Sequence, residues 1–251
     1  MGSNIEWLPT QVPCGSCPLR VRQEFRDFTE VELEFIKGSK RGELHVAKGG
    51  TILEEGAANQ HLYTVLSGWG FRYKTLSDGR RQIVNYAMPG DLVGLQGTVM
   101  GEMQHSVEAL SPMVLCIFER AKLFMLFEGF PQLSFDVTWI ASREECMLDE
   151  NLLAVGRRTA VEKVAYLMVF LLSRSIKTGL LGRSGVDIPI TQQHVADTLG
   201  LSVVHTNRTI RKLVERKLIS WTDGGCRILD AERLALIARW EDPIPRPRPF
   251  L

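Results

Sequence analysis

Between residues 43 and 119 the chain is a succession of short β-prone runs, each stopped by a glycine-containing turn: GELHVAKGG, TILEEG, HLYTVLSG, WGFRYKTLSDG, RRQIVNYAMPG, DLVGLQG and HSVEALSPMVLCIFE. Runs this short leave their backbone N–H and C=O groups unsatisfied unless neighbouring runs pair, and tight turns allow only antiparallel pairing. Ser77-Asp78-Gly79, between FRYKTL and RQIVNYA, is a good hairpin signal. Many short strands at regular spacing imply a sandwich or barrel. Just before them, residues 29–41 form an expected short helix, with Thr29 as cap and Glu32 three residues on, the pattern of a capping box.

Beyond the strands the period changes from two to helical. Over residues 133–153, Phe135, Trp139, Cys146 and Leu153 fall on one stripe at spacings of 4, 7 and 7. A heptad stripe seeks a partner helix, which makes it a candidate two-fold dimer interface; packing on the chain's own strand domain is the other use for it. Residues 157–177 form a second helix, apolar at Val161, Val164, Ala165, Leu167, Met168 and Leu171, expected to be the core of a C-terminal domain.

Residues 188–217, IPITQQHVADTLGLSVVHTNRTIRKLVERK, contain two short helices joined by a Gly-Leu-Ser turn. Thr191 caps the first, whose apolar face carries Val195, Ala196 and Leu199 before Gly200 ends it. Ser202 caps the second. There Val203, Thr206, Ile210 and Leu213 recur at inward spacing, leaving Val204, Asn207, Arg208, Arg211 and Lys212 outside. A polar, cationic helix of this kind can enter a DNA major groove, where Arg and Asn make bidentate contacts to guanine and adenine while the turn and flanking cations hold phosphates. A helical hairpin with a solvated basic face would show the same pattern. KLISWTDGGCRILDAERL then turns at Asp223-Gly224-Gly225 as a wing, and the Pro-rich tail at 239–251 is expected to be disordered.

Net charge is only +1, which alone argues against nucleic acid as a partner, but its distribution points the other way. Residues 157–221 hold 11 Lys and Arg against 4 Asp and Glu, so this segment is +7 and the rest of the chain −6. No apolar run reaches the roughly 18 residues that span a bilayer, and MGSNIEWLPTQ lacks the regions of a signal peptide, so no membrane partner and a cytoplasmic location are expected.

The order of these segments resembles the superfamily of the cAMP receptor protein and the fumarate and nitrate reductase regulator, over about residues 28–236. The marks are HLYTVLSG, MPGDLVG, GRRTAVEKVAYLM and ITQQHVADTLGLSVVHTNRTIRKL followed by KLIS. The resemblance implies an α+β chain with an N-terminal antiparallel β-roll, a long dimerisation helix and a C-terminal winged helix-turn-helix. The corresponding spans are an N-terminal Cys-containing segment at 1–27, the roll at 28–130, the dimer helix at 131–156 and the DNA-binding domain at 157–238, ahead of the tail at 239–251. It further implies a non-enzymatic homodimer on a pseudo-palindromic operator in double-stranded DNA, with RNA polymerase as a partner. Arg208 matches the family's base-reading arginine and Asn207 stands beside it as a second reader. Ser202 and His205 match phosphate-contacting positions, and Thr191, Arg211 and Lys212 join them. Val204 replaces a glutamate that accepts from cytosine in the best-known members; valine can only contact a thymine methyl, so the operator should differ.

Departures also bear on the signal. In cAMP-binding members a Gly-Glu pair and an Arg-Ser pair hold the nucleotide; here Leu95 stands for the Glu and His105-Ser106 for Arg-Ser, so cAMP is not expected to bind. Cys14 and Cys17 form a CxxC, and Cys116 in VLCIF stands where the oxygen-sensing branch has its central ligand, so three of four iron–sulfur positions are present. The fourth cysteine is missing. A labile cluster, a reversible disulfide and plain burial stay open for these thiols, while zinc would need two further ligands. Cys146 on the heptad stripe could pair across a two-fold axis or be buried. PCGSCPL looks superficially like a thiol–disulfide oxidoreductase motif but lacks the βαβ setting. A ligand-gated module acting on a protein partner is the remaining alternative, against which the +7 segment argues.

Overall fold

The computed structural model describes residues 5–58, 61–180, 188–241 and 247–251. In chain order the elements are β1 (Ile5–Leu8), a 3-10 turn (Cys14–Ser16), α1 (Glu30–Ser39), β2 (Lys40–Val46), β3 (Thr51–Leu53), β4 (His61–Ser67), β5 (Gly70–Thr75), β6 (Arg81–Ala87), β7 (Leu92–Val93), α2 (Leu95–Met100), β8 (Ser106–Ala109), β9 (Met113–Glu119) and α3 (Arg120–Gly129). Then come α4 (Pro131–Arg157), α5 (Ala160–Thr178), α6 (Gln192–Leu199), α7 (Val203–Glu215), β10 (Ile219–Thr222), β11 (Gly225–Ile228) and α8 (Ala231–Ala238). Two compact units result. One comprises Met1–Lys74, Tyr86–Glu145 and Arg246–Leu251; the other comprises Thr75–Asn85 and Cys146–Pro245.

The first unit is built on the expected antiparallel roll. One sheet runs β1-β2-β9-β4-β7 and the other β3-β8-β5-β6. Between them lies a core to which both contribute, including Val46, Val65, Val107, Leu115 and Ile117. β9 explains its unbroken apolar sequence MVLCIFE by being buried on both faces. Met113, Leu115 and Ile117 enter the core between the sheets, while Cys116 and Phe118 enter a second core on the outer face, with Leu19, Phe28, Ile36, Leu126 and Val137. α1 starts as its sequence dictates: the Thr29 hydroxyl accepts from Glu32 N–H and the Glu32 carboxylate accepts from Thr29 N–H at 2.8 Å. Arg26 ties this corner together by bonding Glu32 and the buried Asp136. Gly68 turns β4 into β5 at φ 87, where any Cβ would lie 2.1 Å from the Pro112 carbonyl oxygen.

The second unit has α5 as its core helix, started by a Thr159/Glu162 capping box and buried at Val164, Ala165, Leu167, Met168 and Leu171. β10 and β11 form a hairpin whose two-residue turn is Asp223-Gly224, and Ile188 exchanges two backbone bonds with Cys226 to brace it. The expected turn is thus one residue shorter, because Gly225 already pairs with Thr222. The segment 181–187 lies outside the described residues.

Three elements differ from expectation. β1 adds a strand within the N-terminal segment and pairs with β2. DLVGLQG yields a two-residue strand and then helix α2, and α3 intervenes before α4. The tail expected to be disordered is not so at its end: Arg248, Phe250 and Leu251 are 8%, 3% and 7% exposed, packed in the outer core of the roll. Low intrinsic order in a Pro-rich sequence concerns secondary structure and does not prevent burial of its side chains. Residues 242–246 of that tail lie outside the described residues.

Candidate nucleic-acid interface and thiol site

The helix pair assembles from local rules. Thr191 caps α6: its hydroxyl accepts from His194 N–H at 3.2 Å, and its own N–H donates to His194 Nδ1 at 3.1 Å. This is a reciprocal capping box in which histidine replaces the usual Glu or Gln. Gly200 ends α6 in the left-handed region at φ 63. Ser202 caps α7, its hydroxyl accepting from His205 N–H at 3.2 Å. Val195, Ala196 and Leu199 on α6 and Thr206, Ile210 and Leu213 on α7 are buried as expected.

On the opposite side of α7 a shallow concavity is lined by Ser202, Val204, His205, Arg208, Arg211 and Lys212. All six are exposed. The α7 N-terminus, with its free N–H groups and its hydroxyl cap, opens beside this face and is favourable for an anion. Thr191 occupies the equivalent place at the start of α6. Two residues differ from their expected sides. Val203, expected inward, is 37% exposed because it opens the helix before the first full turn meets the core. Asn207, expected outside, is half-buried, and its Oδ1 is screened from solvent with no hydrogen-bond partner.

α6 is also held by residues remote in sequence. Arg81 pairs with Asp197 at 3.0 Å, and Gln82 Nε2 donates to the Thr198 carbonyl oxygen at 2.8 Å. Asn151 of α4 donates to the Val84 carbonyl oxygen at 3.0 Å. The 75–85 segment therefore packs with the helix-turn-helix. No local pattern announces this, since Arg81 and Gln82 read as ordinary hairpin residues.

In the roll, His105 and Ser106, which the sequence resemblance sets against an Arg-Ser pair, stand at the start of β8. The Arg72 Nε donates to His105 Nε2 at 2.9 Å, and Arg72 is ion-paired with Glu144 of α4. Burial, assisted by the charges of Arg72 and Lys74, lowers the His105 pKa to about 3, so the ring is neutral. Ser106 Oγ accepts from Glu55 N–H at 3.0 Å. Leu95 is the first residue of α2.

The three cysteines singled out in the sequence do converge. Cys14, Cys17 and Cys116 share the outer core of the roll, and all five cysteines are free thiols. Beside them lies a buried ion pair: Lys40 Nζ donates to Glu43 Oε1 and to the Val12 carbonyl oxygen, each at 2.8 Å, with both side chains at most 2% exposed. Glu43 Oε1 also accepts from Gln11 N–H and Val12 N–H, fastening the cysteine segment to β2. Burial raises the pKa of Cys14 and Cys17 and pushes Cys116 up to about 12, against the opposing charge of Lys40. These thiols are therefore held protonated. An iron–sulfur cluster needs thiolates from four ligands. Three cysteines leave that set one ligand short, and among the described residues no group of three His, Cys, Asp or Glu is placed to hold a metal ion.

The heptad stripe lies on α4. Phe135 is 61% and Leu153 47% exposed, Cys146 is exposed and Trp139 half-buried. Leu133, Val137 and Ala154 take the inward positions. No helix among the described residues is long and apolar enough to cross a membrane.

Comparison with known proteins gives concordant matches. The model of the cyclic nucleotide-binding domain matches residues 43–129, and that of the Crp-like helix-turn-helix domain matches 162–237. The nitrogen fixation regulation protein FixK of Bradyrhizobium diazoefficiens is 34% identical over 90% of this chain and 93% of its own. The transcriptional activatory protein AadR of Rhodopseudomonas palustris is 32% identical over 74% of this chain and 77% of its own. The solved structure of FixK2 from Bradyrhizobium japonicum aligns with TM-score 0.68 at 26% identity, covering 78% of this chain and 96% of that one.

Proposed function

Since the chain belongs to the CRP/FNR family of transcriptional regulators, we propose that it acts as a homodimer on a pseudo-palindromic DNA operator, reading each half-site through α7. The observation that carries this reading is the exposed face of α7, where Arg208, Arg211 and Lys212 flank a serine-capped helix start. Arg208 is the base reader and Val204 contacts a thymine methyl. Asn207, half-buried in the free protein, is the second base reader and must turn its amide outward to reach an adenine edge. Thr191, Ser202, His205, Arg211 and Lys212 contact phosphates. The α4 stripe of Phe135, Trp139, Cys146 and Leu153, exposed except at the half-buried Trp139, forms the two-fold seam. RNA polymerase is the partner such a regulator addresses.

The test begins with duplexes selected from a random pool. Replacing Arg208 by Ala should cost about 1–3 kcal/mol on the selected operator and relax preference at one base pair, with little loss on random DNA. Equal loss on both would overturn the base-reading role. Affinity should fall steeply with salt, as counterion release demands.

A second reading concerns the signal, and the convergence of Cys14, Cys17 and Cys116 favours it. The roll senses redox state through thiols and not through a cluster. Two of the three join as a disulfide, losing two protons and passing two electrons to a peroxide or a low-molecular-weight disulfide. Anaerobically purified protein should be colourless and free of iron and acid-labile sulfide. Oxidation should remove two hydrogens from the intact mass and change operator affinity. Stoichiometric iron and sulfide would overturn this reading.

A further inference from the structure

Residues 247–251 pack against the roll. The guanidinium of Arg248 pairs with Asp91 Oδ1 at 2.9 Å, donates to the Pro89 carbonyl oxygen at 2.5 Å and stands 4.6 Å from the Phe25 ring centroid. Its backbone pairs in parallel with Phe25: Arg248 N–H donates to the Glu24 carbonyl oxygen, and Arg26 N–H donates to the Arg248 carbonyl oxygen, both at 2.8 Å. Two residues on, the Phe250 ring meets Phe28 at 4.9 Å and Phe25 at 5.3 Å. Leu251 reaches an apolar hollow with Ile36, Leu62, Leu123 and Leu126.

The receiving surface is shaped for this segment. Asp91 Oδ2 is held by the Met88 N–H at 2.8 Å, which aims Oδ1 at Arg248. Gly90 sits at φ 83, and any Cβ there would lie 2.2 Å from Phe25 and 2.6 Å from the Arg248 guanidinium. The groove therefore requires glycine where the arginine passes. A paired, hydrogen-bonded arginine buried beside two apolar anchors forms an all-or-none contact, because losing one part leaves a buried charge or an empty apolar site.

We propose that the roll carries a peptide-docking site selective for an arginine followed two residues later by an aromatic ring and then leucine. Its occupant is the chain's own 247–251 segment, a strap lying in the groove of the roll. A free peptide of the same pattern competes for the groove.

The test uses full-length protein and a fluorescein-labelled peptide, Pro-Arg-Pro-Arg-Pro-Phe-Leu. The Phe250→Ala chain, its groove vacated, should bind the peptide about tenfold or more tightly than wild type does, and peptides lacking the aromatic or the second arginine should lose about as much. Hydrogen exchange reports folding independently. In Phe250→Ala the Arg26 amide should lose protection while Leu44 and Leu115, in the paired strands β2 and β9, keep theirs. Equal peptide binding by the two chains, or none by either, overturns the proposal. Arg26 protection that vanishes on dilution to monomers would assign the strap to a second copy and overturn docking within one chain.

Discussion

Replacing Lys40 by Met tests the account of the thiol site at its centre. Lys40 and Glu43 are 2% and 1% exposed in their side chains, and the glutamate oxygen that accepts from Lys40 also accepts from two backbone amides. Removing the ammonium leaves an uncompensated buried carboxylate, for which the expected loss is about 3–5 kcal/mol. Replacing both residues, Lys40→Met with Glu43→Gln, retains an acceptor for the amides without the charge and should recover more than half of that loss. Urea unfolding at pH 7 with an unchanged m-value measures both. Desolvation tends to raise the Glu43 pKa but is outweighed by the bonds from Lys40 and the Val12 amide, so the net shift is downward. Desolvation likewise tends to lower the Lys40 pKa and is outweighed by Glu43, so that shift is upward. The pair therefore stabilises the fold above the unfolded-state value for glutamate and below that for lysine. The difference between wild type and Lys40→Met should shrink as pH falls below about 4 and again as it rises above about 10. A loss under about 1 kcal/mol, or a double variant no better than the single, would refute the buried-pair argument.

Other expectations follow from the same geometry. His105 is neutral when folded and charges when unfolded, so stability should decline by up to about 1.4 kcal/mol per pH unit as pH falls from about 6.5 toward 3. His105→Gln should flatten that part of a pH series of unfolding curves, and an unchanged slope would count against a neutral buried ring. Phe135→Glu or Leu153→Glu should move the protein to the monomer position in sedimentation and abolish operator binding; an intact dimer would show that the α4 stripe is not the seam. With its pKa near 12, Cys116 should resist alkylation by iodoacetamide at pH 7 until the chain unfolds, whereas exposed Cys146 and then the partly exposed Cys14 should react before it. Mass spectrometry of partly labelled protein orders the sites, and early labelling of Cys116 would contradict its burial.

What could be read in the sequence was local. The caps at Thr29, Thr191 and Ser202 act over three residues, so their side chains and the turns they start are written next to each other. The strand runs and the Gly79 turn were equally plain. β1 was not, because IEWL is short and flanked by no turn signal. α3 was hidden since Phe124, Met125 and Phe127 stay exposed beside inward Leu123 and Leu126, which blurs the helical period. Tertiary pairing was beyond reach altogether. Lys40, which a sequence assigns to the surface, is buried because Glu43 and the Val12 carbonyl meet it. Arg248 and Phe250, in a run suggesting disorder, are buried because the roll offers Asp91, Phe25 and Phe28.

The pairing of Arg81 with Asp197 and of Gln82 with the Thr198 carbonyl bears on how this protein can be recombined with its relatives. A chimera cut after residue 130, joining this winged helix to another regulator's roll, would replace the 75–85 hairpin and leave Asp197 facing a foreign residue. A graft that takes residues 75–85 along with 146–241 keeps that contact set whole. The hairpin is therefore inherited by position in the sensor sequence but by contact with the reader, and substitutions at 81 and 197 should be exchanged together.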